Sequence, residues 1–507
     1  MTQGSNMNQD AAILQSGMAR VFIQEDGISP ANPYKFFGFV QWDKTTKVVT
    51  KVTPIYMPNV AVRNAWDIVG RLITAPELGK TGFTQHADRY LRDVWWKLKD
   101  RNCLTNIQVV TGECQRPDQL AAGDARLFFR HAILDGLDMG ELNVLEGDKN
   151  VITDITGSFA FDDYVPLRPI AFEQRGGATI LSEILDAVFY DSPTCGSCGP
   201  ASDGCQKIFA LSAANAGSPG LSSQIYYSID GGITWASVDI PTLGGLSGNR
   251  LGAMGDKLVV ISQAGGNWHW ALFTDILAGI TTNWTALSTG LISTKAPRAI
   301  YERNVNEAFI AAAGGYIYLM TDPTTGVSVV NDNTLTSQDQ NDIHGWGRIV
   351  VSVGNSNTLL YSQNEGSNWQ LLVGPAVGEN LTTIWCLRNN IWFVGTNTGK
   401  LFYSVDSGST WTRINLPGGA NVVNDLQFFD DTVGYLSVEV GGVAKVFRTQ
   451  DSGNTWQNQR PNIEGLPTTW TRVNIVVPCG WNEVLAGGRT TVGGSNGALA
   501  IAQNRPI

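Results

Sequence analysis

Positive charge is what this sequence is short of. Its 507 residues carry 35 Lys+Arg against 45 Asp+Glu, a formal net charge of −10, and neither half is a basic module. A protein that grips nucleic acid must neutralise phosphates, so this balance argues against that class. Also missing is any uninterrupted apolar run near the roughly 20 residues a membrane helix needs. The first eighteen residues, "MTQGSNMNQDAAILQSGM", lack the basic start and apolar core of a signal peptide. The expectation is a soluble chain made in a cytoplasm, with no membrane insertion. Histidine is scarce too, and His86, His131, His269 and His344 fall at no ligand spacing, which leaves them as packing residues.

Seven cysteines in so long a chain do not describe a disulfide scaffold. Cys195, Cys198 and Cys205 stand close together in "CGSCGPASDGC", but a tetrahedral metal site wants four ligands. No histidine is near, and Asp203 is an uncommon fourth ligand. A thiol-rich turn, one disulfide and a structural metal all stay open there, and redox catalysis has least support. Cys103 and Cys114 read as core thiols. No metal, cofactor or catalytic residue is assigned anywhere in the chain. The match to Gly-x-Ser-x-Gly around Ser495 is set aside, because that elbow needs a strand-to-helix setting and a later Asp and His. The last histidine is His344.

Glycine, by contrast, is plentiful at 56 residues, with 9% aromatics and only 16% charged residues, a balance that favours β structure with many turns. One turn recurs. "YYSIDGGITW" at 226–235 returns as "LYSQNEGSNW" at 360–369, "FYSVDSGSTW" at 402–411 and "FRTQDSGNTW" at 447–456. A Ser or Thr with an Asp two residues on can accept hydrogen bonds from the backbone of a tight hairpin. The glycine supplies a conformation that a side chain would obstruct, and the tryptophan folds back to bury a large ring. The residues in these roles are Ser228, Asp230, Gly232, Thr234 and Trp235; Ser362, Asn364, Gly366 and Trp369; Ser404, Asp406, Gly408, Thr410 and Trp411; and Thr449, Asp451, Gly453, Thr455 and Trp456.

Degenerate copies end at Asp275 and Asp322, so successive intervals are 45, 47, 42, 42 and 45 residues. That is the period of a four-stranded propeller blade. The repeat resembles the Asp-box (BNR) family of β-propellers over about residues 205–507. The resemblance implies a structural role for the boxes, on the outer hairpins of the blades and away from the central channel. Counting units along the chain, with "EVLAGG…GALAIAQN" as the last, gives an expectation of seven blades, the last completed by a strand from before Cys205, within 178–190 ("ATILSEILDAVFY"). A sialidase-like member would need an arginine cluster and paired carboxylates. Arg250, Arg298, Arg348, Arg388, Arg413 and Arg472 are scattered along the chain, and the Arg-Ile-Pro motif of that family is absent.

The first 190 residues have a different texture. "YKFFGFVQW", "KVVTKVTPIY", "NIQVVTGEC", "ARLFFRHAILDGLDMG" and "ITDITGSFAFDDYVPL" read as strands. "QHADRYLRDVWWKLKD" puts Ala87, Tyr90, Leu91, Val94, Trp95 and Leu98 on one helical face, with Thr84 as N-cap. Trp96 falls off that face, either packed under a loop or exposed for a partner. A β-sandwich or barrel with one packed helix is expected.

The order "TPIYMPN", "DRYLRDVWWKLKDRNC", "TNIQVVTGEC", "ITGSFAFDDYVPLRP" and "CGSCGPASDGCQKIFALS" looks like a group of tailed-phage virion proteins. In these a tail-tube-like domain precedes an Asp-box propeller. The resemblance implies a flexible arm over 1–19, a tail-tube-like β domain over 20–190, a Cys-rich connector over 191–204 and the propeller over 205–507. It implies a bacteriophage tail tube subunit, assembled in the host cytoplasm into the virion tail as stacked rings. Its partners would be copies of itself, other tail proteins, host-surface glycans, and DNA passing without specific binding. The rival expectation is a soluble Asp-box glycoside hydrolase or a carbohydrate-binding lectin.

Overall fold

The computed structural model describes residues 18–24, 35–45, 79–87, 105–111, 125–138, 153–161, 163–167 and 170–175, and all but short intervals of 180–503. The chain divides into two compact units, one of Met1–Pro169 with Pro506–Ile507, the other Ile170–Arg505. The division therefore falls ahead of residue 190, the end expected for the tail-tube-like domain. Residues 191–204, with Cys195 and Cys198, and also Cys103, Cys114 and Cys205, lie outside the described residues.

The first unit is built from β1 (Met18–Gln24), β2 (Lys35–Thr45), β3 (Gly79–Ala87), β4 (Thr105–Thr111), β5 (Ala125–Asp138), β6 (Thr153–Phe161) and β7 (Asp163–Leu167). Their order is β4-β1-β2-β3-β6-β5-β7, with β4 also paired to β5, so six antiparallel strands come full circle. The 14-residue length of β5 makes this closure possible. Its first half pairs with β4 and β7, and its second half pairs with β6 from Ile133 to Asp138, across a register shift at Leu134/Gly136. Val21, Phe22 and Ile23 are buried in succession, as are Phe159, Ala160 and Phe161. Neighbours in a strand face opposite ways, so the sheet is covered on both faces.

The helix expected from Gln85 onward does not begin there. Thr84, Gln85, His86 and Ala87 lie in β3, paired with Thr156, Ile155, Asp154 and Thr153 of β6. Helical periodicity was read across a boundary that the ladder to β6 overrides. Residues 88–100, including Trp95 and Trp96, lie outside the described residues, as does all of "KVVTKVTPIY".

The second unit is a β-propeller. Its described residues form seven four-stranded antiparallel sheets. We number them 1 to 7 by their first strands: Ile184–Phe189, Gly248–Met254, Pro297–Asn304, Gln340–Trp346, Leu381–Cys386, Val422–Phe428 and Trp470–Gly480. Each first strand packs against the first strands of the sheets before and after, and that of sheet 7 packs against that of sheet 1. These are the inner strands.

Burial follows from that arrangement. The second strands, such as Ile208–Ser212, Ile349–Gly354 and Trp392–Thr396, are buried at nearly every position and read as continuous apolar runs. Outer strands such as Ala236–Asp239 and Thr412–Ile414 bury only one residue each. A strand sandwiched between two sheets must be apolar on both faces, whereas a rim strand need not be.

Closure differs from expectation in one respect. The fourth strand of sheet 7 is β8 (Ala171–Arg175), which pairs along Leu499–Gln503. Segment 178–190 instead supplies the inner strand of sheet 1, through Ile184–Phe189. The apolar run "ILDAVF" suits a doubly covered inner strand, while "AFEQR", with Glu173 half exposed, suits the rim. No helix among the described residues is long and apolar enough to cross a membrane.

Candidate functional site

The four repeated turns join the third and fourth strands of sheets 1, 4, 5 and 6, and they share one hydrogen-bond pattern. The first hydroxyl accepts from the glycine N–H: Gly232 N to Ser228 Oγ at 2.8 Å, Gly366 N to Ser362 Oγ at 2.9 Å, Gly408 N to Ser404 Oγ at 2.8 Å and Gly453 N to Thr449 Oγ1 at 2.9 Å. The same hydroxyls donate to Asp230, Asn364, Asp406 and Asp451. Those side chains then accept from the backbone N–H of Thr234, Asn368, Thr410 and Thr455 at 2.8–2.9 Å. Where a threonine stands there, its hydroxyl adds a bond of 2.6 Å. That hydroxyl, first among several donors, holds Asp230 and Asp406 down at about 2. Asn368 has no hydroxyl, so the second copy lacks this bond.

Each turn is tied to the hairpin at the start of its own sheet. Glu365 N donates to Arg348 O, Ser407 N to Asn390 O, Ser452 N to Thr432 O and Gly231 N to Gln206 O. The glycine has two reasons to be glycine. Gly366 has φ +78°, and a Cβ there would lie 2.4 Å from Phe309 of the preceding sheet. The tryptophans are less uniform. Trp235, Trp369 and Trp456 donate Nε1–H to the carbonyls of Gly232, Gly366 and Gly453. Trp411 Nε1 has no such partner, and only Trp456 is fully buried. At Asp275 a short helix, Phe273–Leu277, replaces the turn. At Asp322 a simpler turn is held by Thr324 N.

A cavity of the propeller lies elsewhere. It measures about 420 Å³ and is lined from the inner strands, with Asp186, Arg250, Glu302, Asp342, Asp425 and Asn474 among its polar residues; no repeated-turn residue lines it. The inner strands share a bulge, seen as a register shift toward the second strand at Leu185, Asn249, Arg298, Asn341, Thr382, Asn424 and Asn474. A bulge re-aims its side chain, and here it turns toward the next sheet. Asn249 donates to Pro297 O at 2.7 Å, Asn341 to Leu381 O at 2.8 Å, Thr382 to Val423 O at 2.6 Å and Asn474 to Ile184 O at 2.7 Å. The residue after the bulge does the converse where it is aspartate. Asp186 accepts from Leu251 N at 2.8 Å, Asp342 from Ile384 N at 2.8 Å and Asp425 from Val476 N at 2.9 Å. Glu302 accepts from Ala253 N at 2.9 Å.

Burial dominates the electrostatics. It pushes Asp186 up to about 6 against the pull of Arg250, and pushes Glu302 and Asp425 up to about 7. Asp342 is raised for the same reason. The cavity thus holds four acids that resist ionising and one guanidinium. Its acids can accept from, and in their protonated forms donate to, a polar guest. Among the described residues no His/Cys/Asp/Glu group is placed to hold a metal ion.

This ring leaves little trace in the sequence. The signal it carried was "Asn-Asp-Ile" at 341–343 and "Asn-Asp-Leu" at 424–426, each at the start of an inner strand. Of the scattered arginines, Arg250 lines the cavity, while Arg298, Arg388 and Arg472 are paired with Asp339, Asp431 and Glu439. His344 is partly buried and stacked 3.9 Å from Trp385, and desolvation lowers it to about 3. Its Nδ1 accepts from Cys386 N at 3.0 Å, so it packs and ties sheet 4 to sheet 5.

No protein-family model matches the chain, and no curated protein matches it as a relative. Solved structures do resemble it. Streptogramin B lyase is 12% identical, with 66% of this chain and 98% of that chain covered and a TM-score of 0.50. Virginiamycin B lyase from Staphylococcus aureus is 11% identical, over 66% and 100%, with a TM-score of 0.49. YCF48 from Cyanidioschyzon merolae is 16% identical, over 66% and 99%, also at 0.49. At such identity the likeness is one of fold alone, and the fold is a β-propeller.

Proposed function

We propose that this chain is a structural virion protein of a tailed bacteriophage, most specifically the tail tube subunit. In this reading the first unit polymerises as stacked rings around the DNA path, and a seven-bladed Asp-box propeller is displayed outside. The observation that supports it is the division of the chain into an antiparallel β unit and a separate propeller, in the order of the phage proteins it resembles. The repeated turns fit a structural role, because their polar groups are spent on their own hairpins. The propeller offers little for strand pairing, since a closed ring of sheets leaves only rim strands as edges. The propeller would decorate the tail or bind host-surface glycans weakly, with many copies supplying avidity.

Light scattering on the full-length protein over a range of concentrations tests the reading. Growth from subunit to rings and longer assemblies is the expected result; a monomer at every concentration would count against it. The acidic cavity favours one rival, a glycoside hydrolase or lectin. That rival expects a monomer or dimer whose glycan affinity is lost in Glu302→Gln or Asp425→Asn.

A further inference from the structure

We propose that a disulfide from Cys479 to one of Cys195, Cys198 and Cys205 clasps the propeller shut across the break in its backbone, and opens on reduction. Cys479 is disulfide-bonded, whereas Cys386 is a free, buried thiol. Of the other cysteines, Cys103 and Cys114 belong to the first unit. Cys195, Cys198 and Cys205 belong to the same unit as Cys479.

The fold brings the two stretches to one end of one seam. Cys479 is the penultimate residue of the inner strand of sheet 7, Trp470–Gly480. That strand packs beside the inner strand of sheet 1, Ile184–Phe189. Asn474 Nδ2 donates to Ile184 O at 2.7 Å, and further along both strands Pro478 and Phe189 line the same cavity. The strands therefore run in the same direction, which sets Cys479 at the end where Phe189 stands. There the chain leaves sheet 1 and comes back to it, with Tyr190 N donating to Lys207 O at 3.0 Å. All three cysteines fall between those two residues in sequence, and Cys205 is two residues from Lys207. Two residues span at most about 7 Å, close to the largest Cα separation a disulfide bridges.

This seam is where a covalent tie adds something. In sheets 1 to 6 the fourth strand runs on along the backbone into the first strand of the next sheet. In sheet 7 the fourth strand is β8, which meets the third strand only through the ladder from Ala171–Arg175 to Leu499–Gln503. Without a cross-link, the three C-terminal strands of sheet 7 are thus held to β8 and sheet 1 by non-covalent contacts. A bond from Cys479 to the stretch between Tyr190 and Lys207 makes the ring covalently continuous. It forms from two thiols, each losing a proton, and their two electrons reduce a small-molecule disulfide to two thiols. An excess of dithiol reverses it. Closing so long a loop restricts the unfolded chain, so the oxidised propeller is the more stable one.

The test takes the full-length protein after incubation with oxidised glutathione, alkylates it under denaturing conditions and digests it without reductant. The expected product in mass spectrometry joins the Cys479 peptide to one that holds Cys195, Cys198 or Cys205. Cys479 recovered alkylated, or joined to Cys103, Cys114 or a second Cys479, would overturn the clasp. Dithiothreitol should lower the melting temperature of the oxidised wild type by about 5 °C or more. Cys479→Ser should melt like the reduced wild type and not respond to the reductant. A wild-type melt that dithiothreitol leaves unmoved would overturn the clasp, and that comparison does not depend on the variant folding.

Discussion

At the scale of single residues, the repeated turn separates groups that hold the sheet from groups that only trim it. Trp456 is buried against Phe428, their rings 5.8 Å apart, so Trp456→Ala should cost about 3–5 kcal/mol. Trp411 is only partly buried and its Nε1 is unpartnered, so Trp411→Ala should cost clearly less, about 2 kcal/mol. Denaturant unfolding of the two variants checks the order. Gly453 and Gly441 make a second pair, both at positive φ. A Cβ on Gly453 would sit 2.5 Å from Phe393, whereas one on Gly441 meets nothing within 4 Å. Gly441→Ala should therefore cost only the backbone strain, about 1 kcal/mol, and Gly453→Ala distinctly more. Melting temperatures of the two decide it. Asp230 and Asp406 act in the opposite sense to the acids of the cavity. Their depressed values give stability that is present above pH 4 and lost as pH falls toward 2. Asp406→Ala should thus matter most at neutral pH and clearly less at pH 2, in thermal melts at the two values.

At the scale of elements, the decisive strand is the shortest to describe. β8 is five residues long, yet it completes a sheet whose other strands lie over 290 residues away in sequence. A fragment starting at residue 205 lacks both β8 and the inner strand Ile184–Phe189, and should fail to melt cooperatively. One starting at residue 170 should melt as the full propeller does. Circular dichroism of the two fragments separates these outcomes. The same elements show what could be read in advance. The hairpins of the second unit were legible because doubly covered strands are written as apolar runs, and because Ser/Thr-x-Asp-x-Gly, with Asn for Asp in sheet 4, marks the turns of sheets 1, 4, 5 and 6 with side-chain chemistry. The partner of the last sheet was not legible, since pairing is set by which edge is left open. Thr84–Ala87 misled for a related reason: a helical stripe of apolar residues says nothing of a ladder to β6. The bulged Asn and Asp of the inner strands were missed because their bonds cross between sheets, and no local pattern records the receiving N–H.

At the scale of the whole molecule, the two units answer different demands. The propeller ties its inner strands through side chains on the bulges and covers the second strands on both faces. Self-association, in the reading proposed here, is left to the first unit, whose sheet is built on β5 serving three neighbours. The central claim is that the chain builds a tube. Electron microscopy of the concentrated full-length protein tests it most directly. Rings of uniform diameter that stack into tubes, with propeller-sized density on the outside, are the expected result. Single particles of one or two chains at every concentration, with no ring among them, would contradict it.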